Sequence, residues 1–317
     1  MSVAHYLVTG GAGFIGSNLV ETLLRRGDDV AVLDDFSTGR HENLARAGQW
    51  ATEGGGAFHL HEGDVRDAAA CRAAVRGVDF VLHQAAVPSV PRSVAEPVFT
   101  NDVNVQGTLL LLEAARGAAI RRFVFASSSS IYGESEVLPK VETMPPAPIS
   151  PYGLQKLTSE TYCALYHRLY GLPTVALRYF NVFGPRQNPA SEYAAVIPRF
   201  LAAAASGGRA TVHGDGEQSR DFSYVENVVR ANLLACEADA VCCGAAYNIA
   251  GGERVTLNEL LRRIGAIVGR EVPADHTEPR SGDIRHSLAG IERAAERLGF
   301  RPSVGLDEGL RRTLEAL

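Results

Sequence analysis

His5-Tyr6-Leu7-Val8-Thr9-Gly10-Gly11-Ala12-Gly13-Phe14-Ile15-Gly16 is the stretch on which the fold turns. Tyr6, Leu7 and Val8 form a short apolar, partly β-branched run of the kind a buried strand shows. Gly11, Gly13 and Gly16 follow at once with the G-x-G-x-x-G spacing. The three glycines serve different ends. Gly11 permits the strand-to-helix turn, Gly13 lets backbone approach a pyrophosphate, and Gly16 lets the next helix pack close to the strand. A helix over 14–26 would then aim the N–H groups of its first turn at phosphate oxygens. The expected cradle is Gly10, Gly11, Gly13, Phe14, Ile15 and Gly16, opening a dinucleotide-binding sheet.

Working outward, Val30-Ala31-Val32-Leu33 reads as the second strand, with Asp34 and Asp35 at its end. A carboxylate at Asp34 can accept from both adenosine ribose hydroxyls and would repel a 2′-phosphate, so NAD is expected rather than NADP. Asp35 is the neighbouring candidate. A third strand over 58–61 leads to Asp64 and Val65, a carboxylate for the adenine amino group and an apolar contact for its ring; helix capping is the competing use, and Asp67 suits that before a helix over 68–76. A fourth strand over 78–83 ends in Ala85 and Ala86, small enough to pass beneath a flat cofactor. Asn104, inside a helix expected over 98–116, can anchor the neighbouring strand end by hydrogen bonding.

With 317 residues the chain can bury a large core, and its apolar fraction of 46% is ordinary for a globular protein. A net charge of −5 gives no polybasic footprint, so neither nucleic acid nor membrane is an expected partner. No basic segment followed by a long apolar run opens the chain. Cys71, Cys163, Cys236, Cys242 and Cys243 show no zinc-knuckle spacing. They read as reduced residues of a cytoplasmic interior, and no metal site is expected.

Further along, 123–126 reads as a fifth strand opening into Ser127-Ser128-Ser129-Ser130. Ser150-Pro151 then starts a helix, serine as N-cap and proline at the first turn, running to about 170. The segment 173–177 adds a strand. Repeated strand–helix alternation predicts an α/β fold: a Rossmann-type, mostly parallel sheet flanked by helices. Beyond Arg178 the rhythm breaks. The expected elements there are helices at 197–205, 224–238, 257–268 and 291–298, a hairpin about 211–216, and a strand returning to the sheet near 246–249; a short helix at 42–47 is expected earlier, between the second and third strands. The implied organisation is a cofactor domain of residues 1–180 with a returning segment at about 224–250, and a smaller interleaved C-terminal lobe of 181–223 and 251–317. The helices at 257–268 and 291–298 are assigned to the lobe.

The chemistry is concentrated in Tyr152-x-x-x-Lys156. Positions i and i+4 share a helix face, so a phenol and an ammonium can meet one ligand. For a tyrosine to act as a base near pH 7 its pKa must fall from about 10, an adjustment worth about 4 kcal/mol. Lys156 and an oxidised nicotinamide are the positive neighbours that favour phenolate, and a serine from 127–130 can orient a sugar hydroxyl. No G-x-S-x-G elbow or H-E-x-x-H pattern supports hydrolysis.

Together these segments resemble the extended short-chain dehydrogenase/reductase family, in particular its nucleotide-sugar epimerases. The resemblance is carried by T-G-G-A-G-F-I-G from Thr9, L-D-D from Leu33, H-Q-A-A from His83, N-V-Q-G-T from Asn104, S-S-S-S-I-Y-G from Ser127, Y-G-L-Q-K from Tyr152, R-Y-F-N-V-F-G-P from Arg178 and R-D-F-S-Y-V from Arg220. It implies a tightly held NAD, reduced and reoxidised within a turnover, and a transient 4-keto sugar whose C4 is inverted. Tyr152 would be the base, Lys156 would hold the nicotinamide ribose, and Ser128, four places before Tyr132, would assist, with Ser127 and Ser129 as alternatives. For a UDP-sugar, the resemblance implies Asn181 near the phosphate, Val196 near uracil, Arg220 and Arg280 around the diphosphate, and more loosely His213 near the nucleoside.

Ser129 and Ser130 stand where related dehydratases carry acidic residues, which lowers the weight of elimination and decarboxylation. Ser287 stands where relatives restricted to plain UDP-glucose and UDP-galactose tend to carry tyrosine. Its small side chain implies room for a C2 N-acetyl group, hence UDP-GlcNAc/UDP-GalNAc together with the plain pair. UDP-glucuronate epimerisation is the enzymatic alternative, and a non-catalytic NAD-binding regulator the alternative of another class. Relatives pair two subunits through helices, here 98–116 and 152–170, so a homodimer is expected.

Overall fold

The apolar runs become one buried sheet in the computed structural model, which describes residues 3–188, 196–278 and 285–317. The cofactor half consists of β1 (His5–Thr9), α1 (Phe14–Arg25), β2 (Asp29–Asp34), α2 (Ala47–Gly54), β3 (Phe58–Glu62), α3 (Ala68–Ala74), β4 (Phe80–His83), α4 (Val90–Ala95), α5 (Pro97–Asn101), α6 (Gly107–Gly117), β5 (Arg122–Ser128), α7 (Pro151–Tyr170) and β6 (Thr174–Tyr179). Then come β7 (Val182–Phe183), α8 (Val196–Ser206), β8 (Ala210–His213), β9 (Ser219–Asp221), β10 (Ser223–Tyr224), α9 (Val225–Glu237), β11 (Ala245–Ile249), β12 (Arg254–Thr256), α10 (Leu257–Val268), β13 (Ala274–Thr277), α11 (Glu292–Leu298) and α12 (Leu306–Glu315).

Seven parallel strands run in the order β11-β6-β5-β4-β1-β2-β3. Helices on both faces bury the inner strands, which is why β4 and β5 read as unbroken runs instead of alternating ones. The chain order reverses between β1 and β4, and a crevice at the C-terminal strand ends opens at that switch point. Val8 there pairs with Val32 on one side and Leu82 on the other.

Several sequence expectations shift. The positive-φ residue of the first turn is Gly10 (φ +66°), where a Cβ would lie 2.7 Å from the Ala85 nitrogen; a Cβ on Gly11 would instead meet Val32 at 2.7 Å. Gly16 does allow close packing, since its Cβ would fall 2.0 Å from the Gly10 carbonyl oxygen. The helix expected over 98–116 is divided by a π turn at Asp102–Gln106. At 42–47 there is only a 3₁₀ turn, His41–Leu44, and the α-helix lies further on at Ala47–Gly54, drawn in by the buried Trp50.

The hairpin expected at about 211–216 does not form. β8 pairs in parallel with β13, so its partner comes from more than sixty residues away, and β9 pairs antiparallel with β12. The smaller lobe has its own core, in which Phe183, Phe200, Val212, Leu260, Ile264 and Leu310 pack together. The helix expected at 291–298, α11, leaves that lobe: Ala294 and Leu298, with Phe300, pack in the core of the main sheet beside α9 and β11.

Candidate active site

The strand ends of the main sheet open on a cleft of about 690 Å³. Its first wall is the glycine turn. Gly13, the residue before α1, has an extended backbone and offers no side-chain cap, which leaves first-turn N–H groups of the helix available to a ligand. Gly10, Gly13, Phe14, Ile15 and Gly16 line the cleft; Gly11 is turned onto Val32.

At the end of β2, Asp34 is 7% exposed. Its Oδ2 accepts from the Ala12 N–H at 2.8 Å and its Oδ1 from the Phe36 N–H at 2.9 Å. The carboxylate therefore braces the turn it faces, and burial raises its pKa against those two hydrogen bonds. Asp35 lines the same wall and accepts from the Ser37 hydroxyl at 2.6 Å. Asp64 and Val65 also line the cleft, with Asp64 held by Arg66 at 2.6 Å. The helix cap is Asp67, which accepts from the Ala69 N–H.

Ala85 and Ala86 form the adjoining floor. Asn104 sits behind it in the π turn: Oδ1 accepts from the Val87 N–H at 2.8 Å, and Nδ2 donates to Gln155 Oε1 at 2.8 Å. Asn104 thus fixes the backbone after β4, as its strand-anchoring reading implied, and does not line the cleft itself. These residues fit a dinucleotide: an uncapped helix start for phosphate and a buried strand-end carboxylate for ribose.

The opposite wall carries the reactive groups. Ser150 caps α7 by accepting from the Gly153 N–H at 3.1 Å, which starts the helix so that Tyr152 and Lys156 share one face of the cleft. Burial pushes the Tyr152 phenol up to about 12, while a hydrogen bond with Ser128 acts in the other direction. Burial pushes Lys156 down to about 8, with Cys163 opposing. Lys156 Nζ donates to the Ala126 carbonyl at 2.8 Å and lies 5.9 Å from the centre of the Tyr152 ring.

The serines separate by direction. Ser127 donates to Glu160 Oε2 at 2.6 Å inside the protein, whereas Ser128 meets Tyr152 and donates to Ser130 Oγ at 3.1 Å. Ser129 lines the cleft at the start of a 3₁₀ turn.

Sequence reasoning missed the support beneath this wall. Arg178 pairs with Glu160 at 2.6 Å and donates to the Tyr132 hydroxyl at 2.7 Å, which donates to Asn248 Oδ1 at 2.7 Å. Glu160 lies four residues after Lys156, and a carboxylate on the buried face of α7 was the available signal. Arg186 was also missed: it enters the cleft wall and pairs with Glu21 at 2.8 Å, tying the passage after β7 to α1.

Asn181 (φ +31°) lines the cleft, and its Nδ2 donates to the Asp221 carbonyl at 3.0 Å. The remaining substrate candidates sit outside that lining. Arg220 on β9 donates to the Ser219 carbonyl at 3.0 Å. Ser287 is buried on a segment bridged to the same strand, its N–H donating to the Ser219 carbonyl at 3.0 Å. His213 shares a 2.8 Å hydrogen bond with the Thr277 hydroxyl. Val196 opens α8 and packs on the lobe core. Arg280 lies outside the described residues. Among the described residues no cluster of His, Cys, Asp or Glu side chains has the form of a metal site, and no helix is long and apolar enough to cross a membrane.

Residues 6–250 match the model of the NAD dependent epimerase/dehydratase family. A UDP-glucose 4-epimerase of Mycolicibacterium smegmatis is 40% identical over 98% of this chain and 97% of its own. Among solved structures, the UDP-N-acetylglucosamine 4-epimerase of Methanobrevibacter ruminantium M1, in complex with UDP-N-acetylmuramic acid, is similar with a TM-score of 0.93 and 39% identity, covering 100% of this chain and 98% of its own. The UDP-glucose 4-epimerase of Thermus thermophilus, in complex with NAD, is similar with a TM-score of 0.87 and 38% identity, covering 98% of both chains.

Proposed function

The chain belongs to the NAD dependent epimerase/dehydratase family and is an NAD-dependent UDP-sugar 4-epimerase, and on that premise we propose that it interconverts UDP-GlcNAc with UDP-GalNAc and also accepts UDP-glucose and UDP-galactose. The observation that carries this reading is the half-buried Tyr152, beside Ser128 and one helical turn from Lys156, facing the glycine turn across a single cleft.

The chemistry that NAD supplies when bound is removal of a hydride from sugar C4 and its return. In the first half-reaction Tyr152 accepts the C4 hydroxyl proton, with Ser128 orienting that hydroxyl. Once the 4-keto sugar has turned to present its other face, Tyr152 gives the proton back. Lys156, anchored on the Ala126 carbonyl, holds the ribose and supplies the positive charge that favours phenolate. Asp34 receives the adenosine ribose, with Asp64 and Val65 at the adenine. Asn181, Arg220 and Arg280 take the phosphates, and Val196 and His213 the nucleoside.

Ser129 and Ser130 provide no carboxylate beside the sugar, which favours inversion over elimination. The small Ser287 favours an N-acetyl group, in keeping with the N-acetylated ligand of the Methanobrevibacter enzyme. A homodimer belongs to the same reading: α4, α5 and α7 leave Val94, Val98, Leu154, Leu169 and Tyr170 half or more exposed, an apolar burden that a second copy would cover. So does a cytoplasmic setting, suited to five free cysteines.

The test is incubation with UDP-GlcNAc, UDP-glucose and UDP-glucuronate separately, followed by proton NMR at C4. Inversion of the first two supports the reading. Turnover of UDP-glucuronate alone would replace it.

A further inference from the structure

Asp221 is 0% exposed, yet its carboxylate is spent on three backbone N–H groups from two distant segments. One oxygen accepts from Gly251 at 2.9 Å and Gly252 at 3.0 Å, just beyond the end of β11 in the main sheet. The other accepts from Ala289 at 3.2 Å. The Asp221 main chain adds a fourth tie, its carbonyl accepting from Asn181 Nδ2 in the cleft wall.

The consequence is a junction between the two lobes. Gly251 is admitted close to β9, where a Cβ would lie 2.4 Å from the Phe222 carbonyl oxygen. The segment leading to Ala289 runs beside β9, with the Ser219 N–H donating to the Arg285 carbonyl and the Ser287 N–H to the Ser219 carbonyl. Its far end is clamped by Lys140, whose N–H donates to the Leu288 carbonyl and whose carbonyl accepts from the Gly290 N–H. Asn181, Arg220 and Ser287 are therefore all within two residues of an atom bonded to Asp221, or bonded to it directly.

We propose that Asp221 is a positioning residue for UDP-sugar recognition: its buried carboxylate fixes the strand and segment carrying Arg220 and Ser287, and its carbonyl fixes Asn181, against the end of the main sheet. This rests on the reading of those three residues as the substrate side of the cleft. The carboxylate touches neither the glycine turn nor Tyr152, so its effect falls on substrate affinity and not on the chemical step.

Asp221→Asn keeps the shape but exchanges one accepting oxygen for an NH₂ group, which must oppose either the glycine N–H groups or that of Ala289. The expected result is a tenfold or greater rise in Kd for UDP, measured by calorimetry, and in KM for UDP-GlcNAc. The kcat at saturation should stay within twofold of the parent and the NAD content should be unchanged. Ala289→Pro, which deletes one donor and leaves Asp221 in place, should raise both constants in the same direction. Unchanged UDP affinity in Asp221→Asn overturns the proposal, as does a fall in kcat with KM unchanged. Loss of folded, NAD-loaded protein in both variants overturns it too, because Asp221 would then be a residue of stability alone. A parent protein that binds UDP but inverts no UDP-sugar would refute the epimerase substrate assignment, while the UDP titrations would still decide the role of Asp221.

Discussion

Replacing Glu160 with leucine would leave the Arg178 guanidinium buried and without its carboxylate. The two side chains are 10% and 6% exposed. Arg178 donates through Nη2 at 2.6 Å and through Nε at 3.1 and 3.2 Å, and the Ser127 hydroxyl donates to the same carboxylate at 2.6 Å. Removing one partner of such a pair costs about 3–5 kcal/mol, because the surviving charge has already lost its water. The double variant Glu160→Leu/Arg178→Met removes both charges and keeps most of the volume, so it should recover to within about 2 kcal/mol of the parent. Urea unfolding followed by circular dichroism measures both, and the cycle should show a coupling of about 2 kcal/mol or more. Added salt should change the coupling little, since the pair is shielded from solvent. A single variant within about 1 kcal/mol of the parent, or a double variant no better than the sum of its singles, would refute the argument that Arg178 depends on Glu160.

Tyr152→Phe should retain NAD and lose turnover by about 10²–10⁴-fold; full activity in a NAD-loaded Phe variant would remove Tyr152 as the base. Ser287→Tyr should depress turnover of UDP-GlcNAc more than that of UDP-glucose, and equal losses measured by NMR would count against the pocket argument. Burial raises the Asp34 pKa while the Phe36 and Ala12 N–H groups lower it, so as pH falls this carboxylate protonates before an exposed aspartate does. NAD retention on gel filtration should therefore weaken on the acid side and recover above it, and Asp34→Asn should abolish that dependence while weakening retention at neutral pH.

The cofactor half was legible because its signals are local. β1, the glycine turn and α1 follow one another directly, and Asp34 stands at the end of the next strand, so spacing alone places the residues that face each other. Assigning the turn to Gly11 instead of Gly10 was an error of one position, set by which residue has its Cα beside Ala85. Tyr152 and Lys156 were legible for the same reason, a serine cap fixing where the helix begins. Which of four consecutive serines faces Tyr152 was not, because alternation along β5 decides it: Ser127 turns inward to Glu160 and Ser128 outward to the cleft.

The substrate half resisted reading for a reason of topology. β8 finds its partner in β13 and β9 in β12, across intervals filled by other elements, so no run of sequence contains both halves of a signal. Two- and three-residue strands such as β7, β10 and β12 are too short to show a period. α11 carries the same difficulty further, since an amphipathic helix declares that it has an apolar face but not which core receives it; here Ala294 and Leu298 return to the main sheet before Val304 and Leu310 rejoin the lobe. What ties these crossings to the main sheet includes the buried Asp221, while Glu160 with Arg178 plays the corresponding part between α7 and β6 inside the cofactor half. Their cost of burial is recovered only when all their partners arrive together, and partners drawn from positions as distant as 221, 251 and 289 leave no pattern for a linear reading to find.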